Sequence, residues 1–271
     1  MSFPKVNAHL HTPFSFSAFC DISDALDRAV AEEVKAVGIN DFYTAEGYGE
    51  WAEGCRQRAL YPLFGIEFIS LNEEDQKAGL RVNDPGNPGR TYISGKGLSH
   101  PFRLDEPYAS QLADVRAEAN KQVEAMCEKL NGILAEKQAG FTLDIGWIKE
   151  NLTRGSVRER HLAKALRLKV YEQCSGDSDR IKVLLKELFD GKELRSDTDN
   201  VAGVENEIRG NLLKAGGAAF VPETAEAFLP MQTVCKIILA AGGIPTYPFL
   251  ADDAQGNYSD IERDLDGVAK Q

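Results

Sequence analysis

Nothing in this 271-residue chain approaches the run of about 20 apolar residues that a bilayer crossing requires. The N-terminus has no basic segment leading into an apolar stretch, so neither membrane insertion nor secretion is expected, and the cytoplasm is the expected setting. Cysteine is sparse. Cys20, Cys55, Cys127, Cys174 and Cys235 are odd in number, scattered and free of any CxxC spacing, which argues against a disulfide framework and against a thiolate zinc site. The chain has no GxxxxGK[ST] loop, no GxGxxG after a strand, no GxSxG elbow and no HExxH helix, so nucleotide-binding and serine hydrolase readings lose their usual support. Positive charge is in deficit, with 31 Lys and Arg against 42 Asp and Glu and a net charge of -11, which disfavours nonspecific nucleic acid binding. No repeat or low-complexity tract is visible.

What remains is 43% hydrophobic, enough to bury the core of one large domain or of one domain carrying an insertion. The first 70 residues alternate short strands with helices. Val6, Ala8 and Leu10 interleave with Asn7, His9 and His11, the period of a strand with two unlike faces, so both imidazoles share a face. Ile22, Leu26, Ala29, Val30 and Val34 then form a helical stripe that predicts a helix over residues 22–37, with Asp21 or Ser23 as N-cap and Gly38 just past its end. A second strand starts at Gly38, a helix containing Trp51 and Cys55 follows, and residues 63–69 read as a buried strand with one charge in it, Glu67. Strand, helix, strand at this spacing predicts βαβ units in a parallel sheet, open and doubly wound or closed into a barrel. In either case His9, His11, Asp41 and Glu67 fall at the carboxyl ends of the strands, where reactive groups collect.

Residues 83–90, NDPGNPGR, form a turn-rich loop before a short strand over 91–94. The character then changes. Helices are expected over residues 108–137, 156–173 and 177–190, so residues 105–221 are expected to be a helical insertion within a domain spanning 1–271. A helix over 223–241, closed by Gly242 and Gly243, leads into a further strand at 244–247.

Each candidate site residue has a plain alternative. A lone strand histidine is ordinarily a hydrogen-bonded structural group, but a His-x-His pair facing one way converges two good metal ligands. Glu67, in an apolar strand, needs a cation or a donor to offset its desolvation, and a buried salt bridge would serve as well as a metal; the histidine pair tips it towards metal. Asp41 either belongs to the site or caps the following turn. His161, among Arg158, Glu159 and Arg160, reads as a solvated surface histidine on a helix. Lys96, in GKGLSHP, either lies in an ordinary loop or faces an anion.

The ordered set NAHLHT, GINDFYT, FGIEFIS, RERHLAKAL, LLKAGGAAFVPETAEAF and LAAGGIPTYP resembles the PHP (polymerase and histidinol phosphatase) family over almost the whole chain. The resemblance implies an α/β fold, a distorted seven-stranded TIM-like (β/α)7 barrel with metals at the carboxyl ends of its strands that polarise a phosphate ester and activate water. His9 and His11 match the family's first ligand pair, and Glu67 matches the carboxylate that often bridges two metals. Elsewhere the ligands are replaced: Phe16 stands where many members have an aspartate, Phe42 follows Asp41 where a histidine is common, Tyr92 takes the place of a histidine, and Gly242 to Phe249 resembles GGxxVLAHP without its histidine. The closing Asp-x-His motif has no counterpart before Gln271. His161 matches a histidine that recurs in the insertion, and with Arg160 it could contact a phosphate, since arginine forks suit phosphate oxygens.

Two explanations fit these losses. Either the barrel is incomplete at the C-terminus, or the protein is a divergent member whose cluster is reduced to one metal or to none. The expectation is a PHP-type metal-dependent hydrolase, a phosphoesterase acting on a small phosphorylated substrate. It would use one divalent zinc, manganese or iron on His9, His11 and Glu67, with Asp41 as orienter or auxiliary ligand and Lys96, Arg160 and His161 as substrate contacts. The competing expectation is a noncatalytic PHP-like module that binds a phosphorylated or sugar-like ligand.

Overall fold

Residues 3–15, 17, 19–84, 86–250, 260–262 and 266 are described by this computed structural model. They divide into two units, one from residues 1–116 and 225–271 and one from residues 117–224.

The first unit opens with β1 (Lys5–Leu10), exposed along most of its length. Asp21 caps α1 (Ile22–Ala31) by accepting the Asp24 N–H at 2.8 Å, and Ile22, Ala25, Leu26 and Ala29 form its buried stripe. The helix stops six residues short of the expected end, because Glu33 turns into the left-handed region at φ 61° and the chain enters β2 (Val34–Phe42). Gly38 lies inside β2 rather than beyond a helix. A Cβ there would sit 2.6 Å from the Ala8 carbonyl oxygen, so only glycine allows the close approach of β1. Then come α2 (Tyr48–Gln57), β3 (Tyr61–Leu71), α3 (Glu73–Ala78) and β4 (Arg90–Lys96).

The second unit is helical. α4 (Tyr108–Glu136) leads into it, followed by α5 (Ile145–Leu152), α6 (Glu159–Gln173), α7 (Ser178–Leu188) and α8 (Val201–Ile208). Leu130, Leu134, Ile148, Leu162, Leu166, Leu185 and Val204 make its core. The chain returns to the first unit with α9 (Met231–Ala240) and β5 (Ile244–Thr246). The helix expected from residue 223 begins only after Pro230, whose ring disfavours helical backbone at Leu229; that residue instead accepts the Leu71 N–H beside β3. Among the described residues no helix is long and apolar enough to cross a membrane.

The described strands form an open five-stranded sheet in the order β1-β2-β3-β4-β5. The expected parallel pairing holds for β1, β2 and β3, but β4 runs antiparallel to β3 and to β5. The cause is local: the Asn72 N–H donates to the Gly89 carbonyl at 2.8 Å, pinning both ends of the excursion through α3 together. The chain therefore re-enters the sheet from the end it left, and Leu71 pairs with Arg90. On one face Val37, Ile39, Ile66, Phe68 and Ile93 join α1, α2 and α9 in the apolar core. Strand registry puts Asn40 beside Gly65, Phe42 beside Glu67, and Ser94 and Lys96 beside Glu67 and Gly65 on the other face.

Candidate metal centre

His9 and His11 reach this second face from β1, and Glu67 meets them from β3. His9 Nε2 lies 3.3 Å and His11 Nε2 3.0 Å from the same Glu67 oxygen, Oε2. One donor atom from each of the three residues lies within 4.8 Å of the other two. Glu67 is only 4% exposed. Burial alone would raise its carboxyl pKa, yet His11 and His9 beside it hold it below the ordinary value. Two imidazoles and a carboxylate suit zinc, manganese or iron, and the donor set fits a divalent cation without any atom needing to be invoked from elsewhere.

Asp41 sits one residue out of phase with this face. It is fully buried and accepts from the Thr12 N–H at 2.7 Å, from the Ser15 hydroxyl at 2.6 Å and from the Thr12 hydroxyl. Burial pushes its carboxyl upward against those hydrogen bonds. Asp41 thus ties down the turn that follows His11.

Its neighbour Asn40, which the sequence reading passed over, points into the site. The Asn40 amide nitrogen is 3.0 Å from His9 Nε2 and donates to the Ser94 hydroxyl at 3.1 Å. Lys96 Nζ donates to Asn40 Oδ1 at 2.7 Å and to the Ala8 carbonyl at 2.8 Å. Burial brings the Lys96 ammonium down to about 8, against the opposing charge of Glu67. The signal for Asn40 was present in the alternation of GINDF: if Glu67 and Phe42 share a face, so must Asn40.

Two residues that stand where the resemblance implies further ligands, Phe42 and Tyr92, meet as rings beside His11. Phe42 stacks on His11 at 4.9 Å between centroids and 10° between planes, and Tyr92 lies edge-on to Phe42 at 6.1 Å. Burial pushes the Tyr92 phenol upward. In the GGxxVLAHP-like segment, Tyr247 donates its hydroxyl to Glu262 at 2.9 Å. Phe16 lies outside the described residues.

Arg160 and His161 belong to the second unit. The solvated histidine expected there is instead 8% exposed. Its Nδ1 accepts the Arg158 N–H at 2.9 Å, closing the first turn of α6. Burial foremost, with Arg160, Lys164 and Arg158 against the opposing Glu159, lowers its pKa to about 4, so the ring is neutral. Beside Arg160, Glu159 is held by Arg209 at 2.6 Å.

The PHP domain profile matches residues 7–186. No curated protein matches the chain. Among solved structures, a Bifidobacterium adolescentis protein assigned provisionally as a metal-dependent phosphoesterase superposes with a TM-score of 0.59 at 17% identity, over 99% of this chain and 75% of its own. An amidohydrolase from Chromobacterium violaceum, solved with sulfate and no metal, gives a TM-score of 0.53 at 16% identity, over 90% of this chain and 66% of its own. Likeness at this identity concerns the fold.

Proposed function

Since the chain belongs to the PHP domain family, we propose that it is a metal-dependent hydrolase of phosphate esters. One zinc, manganese or iron would be held by His9, His11 and Glu67. The observation that carries this reading is the meeting of two imidazole nitrogens on one oxygen of a buried carboxylate, at 3.3 and 3.0 Å. Such a carboxylate is costly to bury without a cation. A divalent ion bound there would polarise a phosphoryl oxygen and acidify a water molecule. The residues around it have separable tasks. Asp41 orients the His11 turn, and Phe42 and Tyr92 wall the face where further ligands would stand, which favours one metal over a cluster. Lys96 keeps one N–H beyond the two already engaged and would offer it to an anionic substrate oxygen. In the second unit, Arg160 and His161 would be contacts to a phosphate group. The same proposal takes the five strands as part of a TIM-like barrel, residues 105–221 as its insertion and the cytoplasm as its setting.

The test is metal analysis of protein purified without chelator, with turnover of a panel of phosphomonoesters and phosphodiesters. About one metal per chain is expected, lost in His9→Ala, with turnover falling by orders of magnitude in His11→Ala and Glu67→Ala. Bound metal with no turnover of any ester would select a noncatalytic binding module instead, a reading favoured by the Phe42 and Tyr92 rings. Metal content that is nil, or indifferent to His9→Ala, refutes the hydrolase.

A further inference from the structure

The Asn40 amide has a defined orientation. An ammonium group only donates, so the atom 2.7 Å from Lys96 Nζ must be the amide oxygen, and the NH2 group must face His9 and Ser94. Its two hydrogens then have two acceptors, the Ser94 hydroxyl at 3.1 Å and His9 Nε2 at 3.0 Å. His9 Nε2 also lies 3.3 Å from Glu67 Oε2, but one ring nitrogen offers either a proton or a lone pair; the shorter contact, to a group that only donates, assigns the lone pair to Asn40, and the proton shared with Glu67 Oε2 then comes from His11, at 3.0 Å. That lone pair is the one a metal would need. The amide is closely packed as well: Asn40 is fully buried, and a Cβ on Gly65 would lie 2.5 Å from Asn40 Oδ1.

We propose that Asn40 is the metal's competitor for His9: its amide, locked by Lys96, occupies the Nε2 lone pair in the metal-free chain and must be displaced when a metal binds. Asn40 and Lys96 are thus positioning residues that set the affinity of the site. This rests on the reading of His9, His11 and Glu67 as a metal centre. Lys96 acts twice over, since it fixes the amide with its donor side towards His9 and also places a positive charge one amide group away from an entering cation. Neither effect organises the ligands for metal, and both oppose it. Relieving either should tighten binding, the opposite of what damage to the fold produces. In Lys96→Met the charge is gone and the amide is free to turn its oxygen towards the metal position. In Asn40→Asp an acceptor and a negative charge replace the competing N–H.

Zinc titrated against a chromophoric chelator into stripped wild type, Lys96→Met, Asn40→Asp and His11→Ala, with circular dichroism to confirm folding, decides the matter. Lys96→Met and Asn40→Asp are each expected to bind zinc at least about tenfold more tightly than wild type, and His11→Ala more weakly. Folded variants that bind zinc equally or less tightly overturn the proposal while leaving the metal centre standing. A wild type that binds no zinc, or a His11→Ala that binds as well, overturns the metal reading and the proposal with it. Nitrogen NMR of the metal-free wild type needs no variant: an unprotonated His9 Nε2 supports the proposal, and a protonated one refutes it.

Discussion

Replacing His161 with glutamine should flatten the acid sensitivity of the helical unit. Its imidazole is lowered from 6.5 to about 4, mainly by burial. Above the unfolded value neither state carries the proton, and His161 has no effect on stability. As pH falls below 6.5 the unfolded chain takes up the proton while the folded chain cannot, so stability is lost until the folded ring also protonates near 4. The loss amounts to about 2 kcal/mol at about pH 5 and about 3 kcal/mol at about pH 4. Glutamine at the third position of a helix can still accept the Arg158 N–H, so the cap survives while the titration disappears. Urea unfolding of both proteins between neutral and acid pH, followed by far-ultraviolet circular dichroism, measures the difference. Parallel pH profiles for wild type and His161→Gln would show that the ring is not held neutral by its surroundings, and the argument would fail.

Two further substitutions probe the frame of the site. Asp41→Asn leaves one acceptor oxygen for three donors and turns an NH2 against a hydroxyl or N–H, which should cost about 1–3 kcal/mol in urea unfolding; a neutral effect would deny Asp41 its role as the tie behind His11. Gly65→Ala places a Cβ 2.5 Å from Asn40 Oδ1 and 2.9 Å from the Gly95 carbonyl oxygen. It should cost about 1–3 kcal/mol, and a thermal midpoint equal to that of wild type would mean that the crowding is relieved elsewhere.

Much of the site was legible because strand alternation is a local property. VNAHLHT places His9 and His11 on one face whatever the rest of the chain does, and an isolated carboxylate in FGIEFIS demands a partner wherever it is buried. The same logic, applied one residue earlier in GINDF, separates Asn40 and Phe42 from Asp41, but it needs the registry of β2 with β3 to say which face is which. Helix ends were less legible. The stripe through Val34 fits a helix and a strand equally well, and the left-handed turn at Glu33 has no signal in its residue type.

By itself, then, the sequence determined the alternation of strands and helices through β3, though not α3 after it, the helical character of the second unit, and the family to which the chain belongs, because each is written in short-range periodicity and ordered motifs. Only the tertiary structure decided the rest: the reversal of β4, closed by a hydrogen bond between residues 17 positions apart, the neutral burial of His161, and the Lys96, Asn40 and His9 chain across three strands. Those features depend on which residues meet across strands and turns, and hydrogen bonds, burial and charge act through distances that no local pattern encodes.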